Sequence, residues 1–137
     1  MNLPQDNRLE ISRLVRIYNN TVATYKYYWF LSFLEIFVKT GKRYISFWEI
    51  IVGMISEAWY PIHYFRLSFG KSDSLYNQII ELQKDLSIPI DASRTDIKKQ
   101  INDKLGNTRV KSLLRIFTLN VPYRFLSPWI SYTTDKD

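Results

Sequence analysis

Residues 27–38, YYWFLSFLEIFV, constrain the fold of this chain more than any other stretch. Ten of the twelve residues are apolar or aromatic, so they must be buried or cross a membrane. A membrane-spanning helix needs about 20 consecutive apolar residues, and this run is shorter, contains Glu35 and lies between Lys26 and Lys39. The stretch therefore predicts a buried helix over residues 22–39 and no membrane span.

The polar residues of this segment fall on one narrow stripe. Ser32, Glu35 and Lys39 follow each other at i, i+3 and i+7, which places them on one side of a helix. From Tyr27 to Val38, all the other residues are apolar or aromatic. We therefore expect it to be surrounded by other helices.

Helical spacing continues through most of the chain, which predicts an all-α fold. The sequence Ser46-Phe-Trp-Glu49 is a capping box and marks the start of one helix. Pro61 disfavours helical geometry at Tyr60, so that helix should end there. The predicted helices are a short one around Leu9, Leu14, Val15 and Tyr18, then residues 22–39, 47–59, 74–86, 95–105 and 108–118.

These elements predict one compact bundle of about six helices with an aromatic core. Residues 1–132 should form a single helical domain, and residues 133–137 a frayed tail. Sixteen of the 22 aromatic residues lie between Tyr18 and Phe69, so this part of the chain should supply most of the aromatic core. The segment from Val121 carries two prolines and four aromatic residues and is too apolar for a free tail, so it should fold back onto the body.

Positive charge is concentrated in the other half of the chain. Residues 94–124 hold eight Lys or Arg and two Asp, a balance of +6 that equals the net charge of the whole chain. They include the two late helices, both basic and amphipathic, and a concentrated basic region is typical of proteins that bind polyanions. A solvated helix face is the alternative interpretation. The candidate phosphate contacts on these helices are Lys98, Lys99, Arg109, Lys111 and Arg115.

The stretch SEAWYPIHYFRLSFGKSD, residues 56–73, contains the only histidine of the chain. His63 could act as a base, but packing among Trp59, Tyr60 and Tyr64 with hydrogen-bonded ring nitrogens is the interpretation we favour. After Tyr64, rings alternate with polar residues, so an exposed strand or loop could stack on bases while Arg66 and Lys71 meet phosphates. Burial of Phe65, Leu67 and Phe69 in the core is the favoured alternative.

Complete catalytic sets are missing from the sequence. The absence of cysteine excludes disulfides, thiolate zinc sites and cysteine nucleophiles. One histidine cannot build a two-imidazole metal site, and no glycine-rich phosphate loop or nucleophile elbow is present. We expect no cofactor, no metal and no catalytic residue, and whether the chain belongs to an enzyme is left open.

Three stretches together resemble a known family. NNTVATYKYYWFLSFLE (19–35), AWYPIHYFRLSFGKSD (58–73) and VPYRFLSPWI (121–130) are similar to the N-terminal region of bacterial HNH endonuclease domain proteins. In that family the aromatic helical segment precedes a nuclease module. An HNH site needs a base histidine and further metal ligands, which one histidine cannot supply. The resemblance therefore implies a non-catalytic portion beside a nuclease, engaged in target-DNA binding or assembly.

The sequence thus predicts a DNA-associated recognition domain of an HNH-type restriction or defence nuclease, located in the cytoplasm. Its partners would be the DNA backbone and a nuclease module or partner protein. The alternative is a protein-interaction or dimerisation module, with a homodimer as one form of it. That alternative would use an exposed aromatic patch comprising Trp59, Tyr60, Tyr64, Phe125 and Trp129.

Overall fold

The computed structural model describes residues 8, 10–18, 24–67 and 74–129, and these residues form six helices and no strand. The predicted all-α fold class is confirmed. No helix within the described ranges has the length and apolar character needed to cross a membrane. The helices are α1 (Ile11–Arg16), α2 (Tyr25–Thr40), α3 (Phe47–Phe65), α4 (Ser74–Leu86), α5 (Arg94–Asp103) and α6 (Thr108–Leu126).

Helix α3 is the centre of the bundle. All ten residues from Ile50 to Trp59 are buried, and α2, α4, α5 and α6 all pack against this helix. Its first turn forms the predicted capping box. The Ser46 hydroxyl accepts from the Glu49 amide at 3.2 Å, and the Glu49 carboxylate accepts from the Ser46 amide at 2.9 Å. This reciprocal pair satisfies two amides that a helix start otherwise leaves unpaired.

The prediction that Pro61 ends α3 is wrong. The helix continues to Phe65 and is capped by Arg66 in the left-handed region, with φ 50°. A proline inside a helix removes one hydrogen bond and costs about 3 kcal/mol. Trp59 and Ile62, on either side of Pro61, are both almost fully buried, and burying two large apolar side chains offsets a cost of that size.

The last helix is also longer than predicted. Instead of ending near Thr118, α6 continues through Pro122 to Leu126, so residues 121–126 are helical rather than a folded-back tail. Val121 and Phe125 extend the buried face of the helix, and the Phe125 ring lies 4.6 Å from the Trp29 ring, centre to centre. The Arg124 guanidinium donates to the Tyr25 hydroxyl at 3.3 Å, across 99 positions of sequence. The aromatic core thus joins α2 to α6.

A close contact between small residues fixes how α2 lies on α3. Ser32 is fully buried, and its hydroxyl donates to the Ile50 carbonyl at 2.9 Å. It packs against Gly53 so closely that a Cβ atom added to Gly53 would lie 2.0 Å from the Ser32 Oγ. The side of α2 that carries Ser32 and Glu35 therefore faces the bundle. The expectation that α2 is surrounded by helices is wrong, because its opposite, apolar side is exposed.

Candidate nucleic-acid interface

A groove with a basic lining runs between the first turn of α3 and the exposed side of α6. Its volume is about 430 Å³, within the usual range for ligand-binding clefts. We call it the α6 groove, and it is lined by Trp48, Thr108, Lys111, Ser112, Arg115 and Thr118. Five of these residues belong to α6, and they share one face of the helix because residues three or four positions apart lie on the same side.

The two cations of the α6 groove are available to bind a ligand. Lys111 and Arg115 lie one helical turn apart, both are exposed, and neither pairs with a carboxylate of the described residues. The Ser112 side chain is exposed beside them, whereas the Thr118 hydroxyl already donates to the Arg115 carbonyl at 2.8 Å. Trp48 is half-buried and forms the aromatic wall of this groove.

Two of the other predicted phosphate contacts are already held in ion pairs. Arg109 donates to Asp85 at 2.9 Å and to Glu81 at 3.2 Å, and the hydrogen bond to Asp85 is the main cause that raises its pKa. Lys98 lies 3.7 Å from a Glu35 oxygen. These pairs join α4 to α6 and α2 to α5. The structure therefore does not group all five predicted cations in one site.

The remaining predicted contacts lie apart from the α6 groove or outside the described residues. Lys99 is exposed on α5 and makes no ion pair within the described ranges. Arg66 is exposed at the end of α3. Lys71 falls outside the residues that the structure describes. The α6 groove thus retains two of the seven predicted cations, Lys111 and Arg115.

The predicted aromatic patch is only partly exposed. Trp59 and Phe125 are buried in the core, so their assignment to an exposed patch is wrong. Tyr60 and Tyr64 are exposed and stack with their ring centres 4.8 Å apart, and Phe65 packs edge-on against both. We call Tyr60, Tyr64 and Phe65 the α3-end patch.

Other aromatic and apolar residues of the same stretch also differ from expectation. Phe65 and Leu67 are exposed, so the prediction that they face the core is wrong, and Phe69 lies outside the described residues. Trp129 is partly exposed, with its ring centre 6.5 Å from that of Phe125. It therefore does not belong to the α3-end patch.

His63 packs on the buried Trp59 ring at 4.5 Å, centre to centre, which agrees with a histidine among aromatic rings. The expectation that its ring nitrogens are hydrogen-bonded fails for Nε2, which is buried and has no partner among the described residues. Burial lowers the pKa of His63. Because a general base needs an orienting partner, and no described carboxylate pairs with His63, this environment gives no support to a catalytic role.

A buried carboxylate network was not predicted from the sequence. Glu57 lies in the buried part of α3, accepts from Arg94 at 2.7 Å and shares a hydrogen bond with Glu35. Burial is the main cause that raises the pKa of Glu57, followed by the hydrogen bond to Glu35. The hydrogen bond from Lys39 is the main cause that lowers the pKa of Glu35 to about 2. A signal existed, because a carboxylate inside the apolar run IIVGMISEAW requires a buried partner.

This network links α2, α3 and α5 and does not form an acid–base pair open to a substrate. Cations contact both carboxylates, with Arg94 on Glu57 and Lys98 on Glu35. A metal has no evident place here either, since the described part of the chain contains no group of three His, Cys, Asp or Glu residues arranged to hold one. Its role is to orient three helices around the core.

Comparison of this chain with family models, with curated proteins and with solved structures yields no match. The functional interpretation therefore depends on the geometry of the α6 groove, on the exposed apolar surfaces and on the distribution of charge.

Proposed function

We propose that this domain binds the phosphate backbone of DNA through the α6 groove. The observation that supports the proposal is the pair Lys111 and Arg115, two exposed cations on adjacent turns of α6 in a groove with an aromatic wall. Phosphate contacts position a protein on DNA without reading its sequence. The concentration of positive charge in residues 94–124 supports the same proposal.

Five of the six side chains that line the α6 groove have a place in this binding mode. Lys111 and Arg115 lie about 6 Å apart along the helix axis, so they can contact neighbouring phosphates of one strand. The hydroxyls of Thr108 and Ser112 can donate to phosphate oxygens. The Trp48 ring supplies an apolar surface on which a sugar or an unpaired base can pack.

The biological setting that we propose is a recognition domain beside an HNH-type nuclease of a restriction or defence system in the cytoplasm. The resemblance of three sequence stretches to that family motivates this part of the proposal. In such a protein the domain would supply affinity for DNA, and a separate nuclease module would supply the chemistry. The carboxylate network and the enclosed His63 of this chain have no part in cleavage under this proposal.

The test is a DNA-binding titration across salt concentrations, followed by fluorescence anisotropy of a labelled 20-base-pair duplex. The variant Lys111→Ala/Arg115→Ala should weaken binding at low salt about tenfold or more, and should reduce the slope of log affinity against log salt by about two. The matched control is Arg16→Ala/Lys84→Ala, which removes two exposed cations on α1 and α4, outside the α6 groove. Equal losses in the two variants, or no binding by the unmodified chain, would overturn the proposal.

A second candidate function is protein interaction, including self-association. The observation that favours it is the amount of exposed apolar side chain, which includes the α3-end patch and the outer side of α2. Exposed apolar patches of several hundred Å² are typical of interaction surfaces. Sedimentation equilibrium over a wide range of protein concentration tests it, and a concentration-independent monomer would count against self-association.

A further inference from the structure

The outer side of α2 is apolar over three consecutive turns. Tyr27, Leu31, Leu34 and Val38 have exposed fractions of 50%, 47%, 38% and 78%. A helix on the surface of a bundle usually turns its polar side to solvent, and α2 does the reverse. We call these four residues the α2 seam.

The α2 seam cannot turn inward, because the opposite side of the helix is fixed. Ser32 is buried against Gly53 with no room between them, and its hydroxyl bonds to the Ile50 carbonyl. Glu35 contacts the network of Glu57 and Lys98 on the neighbouring helices. These contacts hold α2 in its present rotation, so the helix cannot bury its apolar side by turning.

The spacing of the seam matches a helical partner. Its residues are separated by four, three and four positions, which is the repeat of the apolar positions in a coiled coil. Phe37, beside the seam, is also about half exposed. On the other flank, Glu35 lies between the seam and the buried side and forms an ion pair with Lys39 of the same helix. No uncompensated charge therefore stands in the way of a second apolar helix.

We propose that the α2 seam is the contact between two copies of this chain, with the two α2 helices antiparallel. This inference rests on the second candidate function and names its surface and its partner. An antiparallel pair related by a two-fold axis places Tyr27 opposite Val38 and Leu31 opposite Leu34. That arrangement sets the largest side chain against the smallest and opposes the two helix dipoles favourably, whereas a parallel pair would set Tyr27 against Tyr27.

The exposed area is sufficient for such a dimer. With exposed fractions of 38–78%, the four seam residues and Phe37 together expose on the order of 500 Å² per copy, polar atoms included. Two copies would then bury about 1,000 Å², the lower limit of a specific interface. Interfaces of this size are typical of weak or transient association.

Sedimentation equilibrium between about 1 and 300 µM protein tests this proposal, with the upper concentrations chosen to detect weak association. The unmodified chain should dimerise, and Leu31→Glu/Leu34→Glu should raise the dissociation constant at least about 100-fold, because it places charges in a desolvated seam. The matched control is Leu119→Glu, a leucine of α6 with 56% exposure that lies outside the seam. It should leave the constant unchanged.

Because the chain contains no cysteine, disulfide trapping can report the pairing of the two helices. An equimolar mixture of a Tyr27→Cys chain and a Val38→Cys chain is oxidised, and antiparallel helices should form the disulfide that joins position 27 to position 38. A disulfide requires Cα atoms about 4.4–6.8 Å apart, so preferential linkage of like positions would overturn the antiparallel pairing.

The remaining outcomes distinguish the α2 seam from self-association at the α3-end patch and from DNA binding at the α6 groove. A dimer lost in Tyr60→Ser/Tyr64→Ser and retained in Leu31→Glu/Leu34→Glu would place self-association at the α3-end patch and overturn the α2 seam. A monomer at every concentration would overturn self-association altogether. DNA binding by Leu31→Glu/Leu34→Glu in the anisotropy titration reports on the α6 groove independently, since the groove and the seam share no residue.

Discussion

The substitution Gly53→Ala tests the contact that orients α2. An alanine in the middle of a helix is normally favoured over glycine by about 1 kcal/mol. At this position the added methyl carbon would lie 2.0 Å from the Ser32 hydroxyl oxygen and 3.1 Å from the Ser32 Cβ atom. The first distance is impossible for two non-bonded atoms, so either Ser32 rotates or the two helices move apart.

The structure sets the expected magnitude. Rotation of Ser32 gives up its hydrogen bond to the Ile50 carbonyl, which contributes about 1 kcal/mol. Forcing a methyl group into a packed interface costs a further 1–3 kcal/mol or so. After subtracting the gain in helix propensity, Gly53→Ala should lower the free energy of unfolding by about 1–3 kcal/mol.

The assay is urea unfolding followed by circular dichroism, on a double-mutant cycle of Gly53→Ala and Ser32→Ala. Removing the Ser32 hydroxyl relieves the 2.0 Å overlap, so the double variant should be more stable than the sum of the single effects by at least about 1 kcal/mol. The dependence of the free energy on urea should stay constant across the cycle. A Gly53→Ala protein more stable than the unmodified chain, with additive effects, would refute the reasoning.

Two further predictions concern carboxylates of α3, each followed as the urea midpoint against pH. Glu49 has a pKa of about 2 in the fold, chiefly because Lys42 donates to it, so its contribution to stability is present above about pH 4.5 and is lost as pH falls towards 2. Glu49→Gln should reduce the decrease of the urea midpoint at low pH. The same decrease in the variant would contradict the role of Glu49. The pKa of Glu57 is raised, chiefly by burial, so its ionisation destabilises the fold as pH rises above about 4.5. Glu57→Gln should therefore leave the urea midpoint at pH 7 unchanged or raise it, because the Arg94 side chain is exposed and can be solvated without Glu57. A clear decrease in the midpoint would show instead that the ion pair stabilises the fold.

Local signals in the sequence were sufficient for the start of α3 and the end of α2. The capping box at Ser46 and Glu49 predicted the first turn of α3, and the left-handed Gly41 ends α2 close to where the sequence placed the end. The helix ends at prolines were not predictable in the same way. Pro61 stops the helix unless burial of Trp59 and Ile62 on either side of it supplies enough free energy to offset the cost of the proline. That free energy depends on which helices pack around these two residues, and the local sequence does not show this.

The candidate site was predictable in its chemistry but not in its grouping. The basic spacing of α6 identified Lys111 and Arg115 from sequence alone. That Arg109 and Lys98 are instead held by carboxylates of α4 and α2 depends on which helices become neighbours. The exposed side of α2 was missed for a similar reason, since one contact between Ser32 and Gly53 decides which side of an almost wholly apolar helix faces solvent.

The long reach of the contacts between α2 and α6 has a consequence during synthesis of the chain on the ribosome. Trp29 packs on Phe125, and the Tyr25 hydroxyl accepts a hydrogen bond from Arg124, which is 99 positions later in the sequence. At about 5–20 residues per second, the part of α2 that packs on α6 stays uncovered for roughly 5–20 s after it has been made. During that interval the surface that α6 will cover is exposed in addition to the α2 seam. Nascent chains on neighbouring ribosomes are therefore at greater risk of aggregation than finished molecules, and chaperone demand should be highest before α6 emerges.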